Sequence, residues 1–173
     1  MADKQPYILG TDSTELERLG FQHRVWSHDA AALWERANIQ HGMRVLDLGA
    51  GPGFATFDLA ELVGKSGKVT AIDISVTYVE HGNSQAKSRG YEHVEFLERQ
   101  APDLRLDHEQ FDIIYCRWVL SWVKNVEGII SEVSKLLKPG GVFLVQEYAQ
   151  WGTFRIIPEI PAIRTVIEAC RES

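Results

Sequence analysis

The sequence contains few cysteines, no cluster of basic residues and no long apolar run. Its two cysteines, Cys116 and Cys170, are too few for a disulfide framework or for a metal site built from cysteine pairs. With a formal net charge of −6 and no run of Lys or Arg, the chain is not expected to bind nucleic acid or an anionic membrane surface. No apolar run approaches the roughly 18 residues that a membrane span requires.

The N-terminal segment is polar and lacks the basic and apolar regions of a signal peptide, which predicts a cytoplasmic protein. A length of 173 residues, of which 45% are hydrophobic, corresponds to about one folded domain and excludes a disordered or low-complexity chain.

The apolar residues between positions 13 and 38 recur at helical spacing, which predicts an amphipathic helix. Asp12 followed by Glu15 is typical of a helix N-cap, and Gly20 predicts an interruption of the helix.

Beyond this helix, short apolar segments rich in Val, Ile and Phe alternate with helical stretches. The predicted strands are residues 44–49, 68–73, 94–99, 111–116 and 142–148, and the predicted helices are 54–63, 76–88, 126–137 and 158–171. The segment 100–110 is short and interrupted by proline, so we expect no full helix there. Alternation of strand and helix predicts an α/β fold with an open, mostly parallel sheet of about five strands and helices on both faces.

The first predicted strand ends in a glycine-rich turn, VLDLGAGPGF. Such a turn before a helix lets a ligand approach the backbone closely. The spacing is GxGxG, with Phe54 at the third glycine position of a dinucleotide fingerprint, and Asp47 would crowd a pyrophosphate. Both features favour a nucleoside ligand without phosphates, and Asp73 at the end of the second strand is placed to accept hydrogen bonds from ribose hydroxyls.

Four segments, VLDLGAGPG, AIDIS, FDIIYCRWVLSWV and LLKPGGVFLVQEY, resemble in order the motifs of class I S-adenosylmethionine-dependent methyltransferases. The resemblance covers residues 44–148, and the opening YILGTDSTELERLGFQ is similar to the N-terminal lid of a bacterial small-molecule branch. It implies a Rossmann-like fold, S-adenosylmethionine as cofactor, and methyl transfer to a small-molecule acceptor by in-line displacement.

The resemblance also implies a set of cofactor-binding residues. The glycine-rich turn would pass beneath the methionine part with Asp47 orienting its amino group, Asp73 would bind the ribose, and Ile74 would pack on the adenine. Gln100 stands where the family usually has an acidic residue, although its amide oxygen can accept a hydrogen bond. The full set is Tyr7, Gln22, Asp47, Gly49, Ala50, Gly51, Gly53, Asp73, Ile74, Gln100, Ala101, Cys116 and Arg117. Cys116 and Arg117 are expected to act through their backbone near the methyl group.

Trp118 and Trp122 follow the fourth strand, where they line an acceptor pocket or, alternatively, belong to the core. The six histidines show no metal-ligand spacing, so no metal is expected, and no residue is singled out as a catalytic base. Two other functions stay open: a non-catalytic module that binds the cofactor or a partner, and an NAD-type oxidoreductase, which Phe54 and Asp47 disfavour.

The organisation expected along the chain is a helical lid over residues 1–43, a cofactor-binding core over 44–148, and a loop and helix over 149–173. The family's sheet normally has two more strands, which are expected to be missing here. The fifth strand would then be an apolar edge strand. We expect a second copy of the chain to cover it by strand pairing or exchange, or else the chain to be poorly soluble.

Overall fold

The computed structural model describes residues 10–104, 106, 110–148 and 160–172, and Tyr7 lies outside these residues. Its elements are α1 (Ser13–Arg36), β1 (Arg44–Leu48), α2 (Phe54–Val63), β2 (Lys68–Asp73), α3 (Val76–Arg89), β3 (Val94–Glu98), β4 (Phe111–Arg117), a short 3-10 turn (Leu120–Trp122), α4 (Val126–Leu136), β5 (Leu137–Gln146) and α5 (Pro161–Glu172). Among the described helices, none is long and apolar enough to cross a membrane.

The five strands form one sheet in the order β3-β2-β1-β4-β5, and every pairing is parallel. The order reverses between β1 and β4, whose neighbouring positions pair Leu48 with Cys116. In open α/β sheets a ligand binds beyond the carboxyl ends of the strands at such a reversal. The predicted Rossmann-like architecture is therefore confirmed.

Helices cover both faces of the sheet, because the strands carry apolar side chains on both sides. On one face α1, α2 and α3 contribute to a core that includes Trp34, Phe57 and Phe96. On the other face α4 places Ile129 and Val133 against the strands. Both faces are consequently buried over the central strands.

Capping side chains mark the starts of α1 and α4. The Asp12 carboxylate accepts a hydrogen bond from the backbone N–H of Glu15 at 2.9 Å, which confirms the predicted N-cap of α1. Asn125 caps α4 in the same way, accepting from the N–H of Gly128 at 2.8 Å.

The predicted interruption at Gly20 is wrong, because α1 is continuous from Ser13 to Arg36. Gly20 instead allows close packing: a Cβ added there would lie 3.1 Å from Cζ of Phe54, the first residue of α2. The glycine thus marks a close approach of two helices.

Two boundaries near α4 also differ from the prediction. Leu137 was expected in the helix but pairs with Phe111 as the first residue of β5, and the regular ladder resumes at Val142 after an irregularity. On α4, Ile130 is 50% exposed although its neighbour Ile129 is buried. The early start of β5 is not evident from the sequence, because Pro139, Gly140 and Gly141 are residues typical of a connection.

The ring of Phe96 on β3 is held between two glycines. A Cβ added at Gly82 of α3 would lie 2.5 Å from this ring, and one added at Gly53 would lie at the same distance. Real Cβ atoms do not come this close, so α3 packs on β3 only because position 82 has no side chain.

We predict that Gly82→Ala lowers the free energy of unfolding by about 1–2 kcal/mol, because overpacking outweighs the better helix propensity of alanine. Urea unfolding measures the change, and Ser84→Ala at an exposed position of the same helix is the matched control. Adding Phe96→Leu to Gly82→Ala should recover part of the loss. A Gly82→Ala variant as stable as the parent chain would contradict the packing argument.

Candidate functional site

A cavity of about 550 Å³ lies at the carboxyl ends of the strands, beneath the N-terminal half of α1. This volume lies within the range of small-molecule sites. It is lined by most of the residues that the sequence indicated, namely Gln22, Asp47, Gly49, Ala50, Gly51, Asp73, Ile74, Gln100, Ala101, Arg117, Trp118 and Trp122. Gly53 and Cys116 do not line it: Gly53 is the N-cap of α2 and Cys116 is fully buried.

The glycine-rich turn forms the floor of the cavity. The backbone N–H groups of Gly49 and Ala50 donate to the carbonyl of Ile72 at 2.9 and 3.0 Å, which ties the turn to β2. Gly51 has a φ of +55° and a Cβ added there would meet no atom within 4 Å, so the backbone faces open space. A side chain at this position would occupy the cavity, which is the expected property of a turn that carries a ligand.

The Asp73 carboxylate accepts hydrogen bonds from two backbone N–H groups, one in the glycine-rich turn and one after β2. Its oxygens accept from the N–H of Ser75 and from the N–H of Gly51, each at 2.8 Å. Burial raises the pKa of Asp73, and the backbone hydrogen bonds oppose this effect. Each oxygen keeps a further lone pair, so the carboxylate retains the capacity to accept from two hydroxyls of a ligand.

Asp47 is almost fully buried, with 2% of its surface exposed. Its Oδ2 accepts a hydrogen bond from the hydroxyl of Thr56 at 2.6 Å. Burial raises the pKa of Asp47 to about 6, although Thr56 and the nearby Arg117 guanidinium both act to lower it. The site therefore holds a carboxyl group whose ionised form is disfavoured by burial, even with the Arg117 guanidinium nearby.

Several aromatic side chains close the side of the cavity next to β4 and β5. The rings of Trp118 and Tyr148 are stacked with centroids 5.7 Å apart, and the edge of Trp26 on α1 meets Trp118 at 6.2 Å. The Gln22 amide donates to the Tyr148 hydroxyl at 2.9 Å. Trp118 has a φ of +56°, a conformation that costs a tryptophan about 1–3 kcal/mol and is found most often at functional sites. Trp122 is 55% exposed at the rim, so it is not a core residue.

Sequence reasoning missed many residues around this site, and three of them contact residues that it did indicate. Thr56 is a lone polar side chain in the apolar first turn of α2, which is a signal for a buried hydrogen bond. His23 contacts Arg117, and Tyr148 stacks on Trp118 and lines the cavity. Neither of these two contacts could be found from sequence spacing, because each joins distant parts of the chain.

No group of three or more metal-ligating side chains occurs within the residues that the structure describes. The cavity combines a glycine floor, two buried carboxyl groups and an aromatic wall. This arrangement suits an organic ligand with hydroxyl groups and a planar ring.

Comparison with known proteins identifies the family. A family model described as a methyltransferase domain matches residues 39–168. The chain belongs to this methyltransferase family. The fold and the resemblance to class I S-adenosylmethionine-dependent methyltransferases are both confirmed by this match and by the similar structures below.

Two curated relatives of the methyltransferase domain carry the name ubiquinone/menaquinone biosynthesis C-methyltransferase UbiE. The protein from Brucella canis is 31% identical over 151 residues, covering 80% of this chain and 55% of the relative. The protein from Shewanella pealeana is 33% identical over 129 residues, covering 74% of this chain and 50% of the relative. The chain thus spans about half the length of these relatives.

Solved structures share the fold. A SAM-dependent methyltransferase from Aquifex aeolicus is 21% identical with a TM-score of 0.72, covering 93% of this chain and 88% of that one. Coclaurine N-methyltransferase, solved with N-methylheliamine and SAH bound, is 29% identical with a TM-score of 0.61, covering 67% of this chain and 34% of that one.

We predict that Asp47→Asn stabilises the ligand-free domain at neutral pH. Asp47 has an ordinary pKa near 3.8 when unfolded and about 6 when folded, so the stability it contributes is full below about pH 4 and is lost as the pH rises through about 6. Asparagine does not ionise, and the gain should reach about 2–3 kcal/mol above pH 7.

Urea unfolding at about pH 5 and about pH 7.5 measures this gain, which should be larger at the higher pH. Asp29→Asn, at an exposed position of α1, controls for the change in net charge. An Asp47→Asn variant whose stability follows the parent chain at both pH values would show that burial does not govern this carboxyl group.

Proposed function

We propose that this methyltransferase domain binds S-adenosylmethionine and transfers its methyl group to a small-molecule acceptor. The observation that carries the proposal is the open glycine floor at Gly51, hydrogen-bonded to the Asp73 carboxylate in a chain that belongs to the methyltransferase family. The names of the relatives, which include C- and N-methyltransferases, support the same activity.

The residues of the cavity suit each part of this cofactor. Asp73 has the remaining acceptor capacity for the two ribose hydroxyls, and Ile74 and Ala101 offer apolar contact to the adenine. Gly49, Ala50 and Gly51 would pass beneath the methionine part. Asp47, costly to ionise alone, would gain a partner in the amino group, and the helix over residues 13–36 would act as a lid.

When bound, S-adenosylmethionine supplies a methyl group already activated by the positive sulfur. The protein's task is therefore to hold the acceptor atom in line with that methyl group and to exclude water. Trp118, Trp122 and Tyr148 offer an apolar aromatic wall for the acceptor.

We also propose that the protein is cytoplasmic. The buried Cys116 carries a free thiol, as is usual for cysteines in a reducing compartment.

The first test is calorimetry with S-adenosylhomocysteine and with NADH. We expect S-adenosylhomocysteine to bind and NADH to bind at least tenfold more weakly, because the turn lacks the third glycine of a dinucleotide site. Asp73→Ala should weaken S-adenosylhomocysteine at least tenfold, since the ribose loses charged hydrogen-bond acceptors.

Asp73→Asn keeps the size of the side chain and one acceptor oxygen, so it guards against a variant that fails to fold. Glu61→Gln, an exposed carboxylate of α2 outside the cavity lining, should bind like the parent chain. Binding of NADH alone, or full affinity in both Asp73 variants, would contradict the proposal. A screen of methyl acceptors then separates catalysis from simple cofactor binding.

We also propose that two copies associate through β5. Within the described residues β5 pairs only with β4, and Val142 and Val145 are each 40% exposed along it. An apolar edge strand with unpaired backbone groups is a template for pairing with another chain.

The double substitution Val142→Lys and Val145→Lys should shift the chain from dimer to monomer, because lysine on an edge strand disfavours pairing. Analytical ultracentrifugation measures the shift. The control Ile130→Lys adds one lysine at an exposed position of α4, away from β5 pairing, and should leave the dimer intact. A parent chain that sediments as a single monomeric species would overturn this assembly.

A further inference from the structure

Arg117 is the last residue of β4 and its side chain lines the cavity. Its position in the sheet places it beside the glycine-rich turn, because the preceding residue, Cys116, pairs with Leu48. Side chains alternate along a strand, so Arg117 lies on the same face as Tyr115 and beneath α1. The guanidinium also lies over the Trp118 ring, 4.7 Å from its centroid.

One side of this guanidinium is held by the lid helix. Nη2 of Arg117 lies 3.1 Å from Nδ1 of His23 on α1. Nε2 of His23 lies 3.1 Å from Oδ2 of Asp58, and the His23 ring stacks on Phe54 at 5.7 Å. Because a guanidinium only donates, Nδ1 of His23 accepts and the ring proton on Nε2 is donated to Asp58.

The other side of the guanidinium has no hydrogen-bond partner. Nη1 of Arg117 is buried and has no hydrogen-bond partner among the described residues. The Asp47 carboxyl lies near enough to interact with the guanidinium electrostatically. A buried donor on a charged group is costly when it is unpaired. The neighbouring Asp47 carboxyl already accepts from Thr56. A guanidinium that lines a cavity and keeps a donor without a hydrogen-bond partner is therefore a site for an anionic group of a ligand.

A carboxylate is the anion that suits this position. It matches the planar donor geometry of a guanidinium. A phosphate carries about 1.5 to 2 negative charges near neutral pH, so the nearby Asp47 repels it more strongly than it repels a singly charged carboxylate. The N–H groups of Gly49, Ala50 and Gly51, which could offset that repulsion, are already bonded within the protein.

We propose that Arg117 binds a carboxylate in the cavity and that His23 positions it. The proposal deepens the proposed function and rests on it for the identity of the ligands. The carboxylate comes either from the amino-acid part of the cofactor or from the acceptor.

The test compares S-adenosylhomocysteine with its decarboxylated analogue by calorimetry, and adds benzoate as a carboxylate probe. Arg117→Met keeps the length and apolar contacts of the side chain but removes the charged donors. Arg24→Met, at an exposed position on α1, is the matched control and should bind like the parent chain.

If the cofactor supplies the carboxylate, Arg117→Met weakens S-adenosylhomocysteine roughly 10- to 100-fold and leaves the decarboxylated analogue unchanged. If the acceptor supplies it, S-adenosylhomocysteine binds unchanged, while binding of benzoate to the protein saturated with S-adenosylhomocysteine is lost. Equal affinities of Arg117→Met and the parent chain for all three ligands would overturn the proposal.

The same ligands separate this proposal from the proposed function. A parent chain that binds benzoate through Arg117 but does not bind S-adenosylhomocysteine would contradict the function and keep the carboxylate site. A parent chain that binds neither ligand would overturn both.

The positioning role of His23 is tested with one variant that removes its acceptor atom and a second that provides an acceptor again. His23→Leu should reduce the Arg117-dependent discrimination, namely the affinity ratio between S-adenosylhomocysteine and its decarboxylated analogue or the affinity for benzoate. His23→Gln should recover part of it, because the amide oxygen can accept from Nη2. A purely structural role for His23 would change stability without changing this discrimination, and that result would overturn the positioning role.

Discussion

The hydrogen bonds of the Asp73 carboxylate join the two turns on which the site depends. One oxygen holds the N–H of Gly51 in the turn after β1, and the other holds the N–H of Ser75, the N-cap of α3. The first turn sets the cavity floor and the start of α2, and the second sets the start of α3. A single side chain at the end of β2 thereby fixes both helices and the ligand-facing backbone, at the cost of burying a carboxylate.

The fold was predictable where local pattern and tertiary packing agree. Apolar segments rich in Val, Ile and Phe identified the central strands, and Asp12 identified the start of α1, because both signals lie within a few residues. Prediction failed at Gly20 and Leu137, where distant partners decide the structure. Gly20 lies inside a continuous helix because the Phe54 ring packs close against it. β5 begins at Leu137, before Gly140 and Gly141, because Leu137 pairs with Phe111.

In the candidate site too, residues with local sequence signals were predictable and contacts between distant residues were not. Spacing located the glycine-rich turn, Asp47 and Asp73, since these residues lie next to strand ends in the sequence. The contacts of Tyr148 with Trp118, of Thr56 with Asp47 and of His23 with Arg117 needed coordinates. The last of these joins residues 94 positions apart, a separation that no local pattern reports.

The contacts between α1 and the opposite side of the cavity also affect how fast a bound ligand can leave. Gln22 bonds to Tyr148, His23 bonds to Arg117, and Trp26 packs against Trp118. Lifting this helix from the sheet breaks all three contacts together. A ligand enclosed beneath α1 therefore has a residence time set by the free energy of that opening as well as by its own affinity, so product departure can limit turnover in such a cavity.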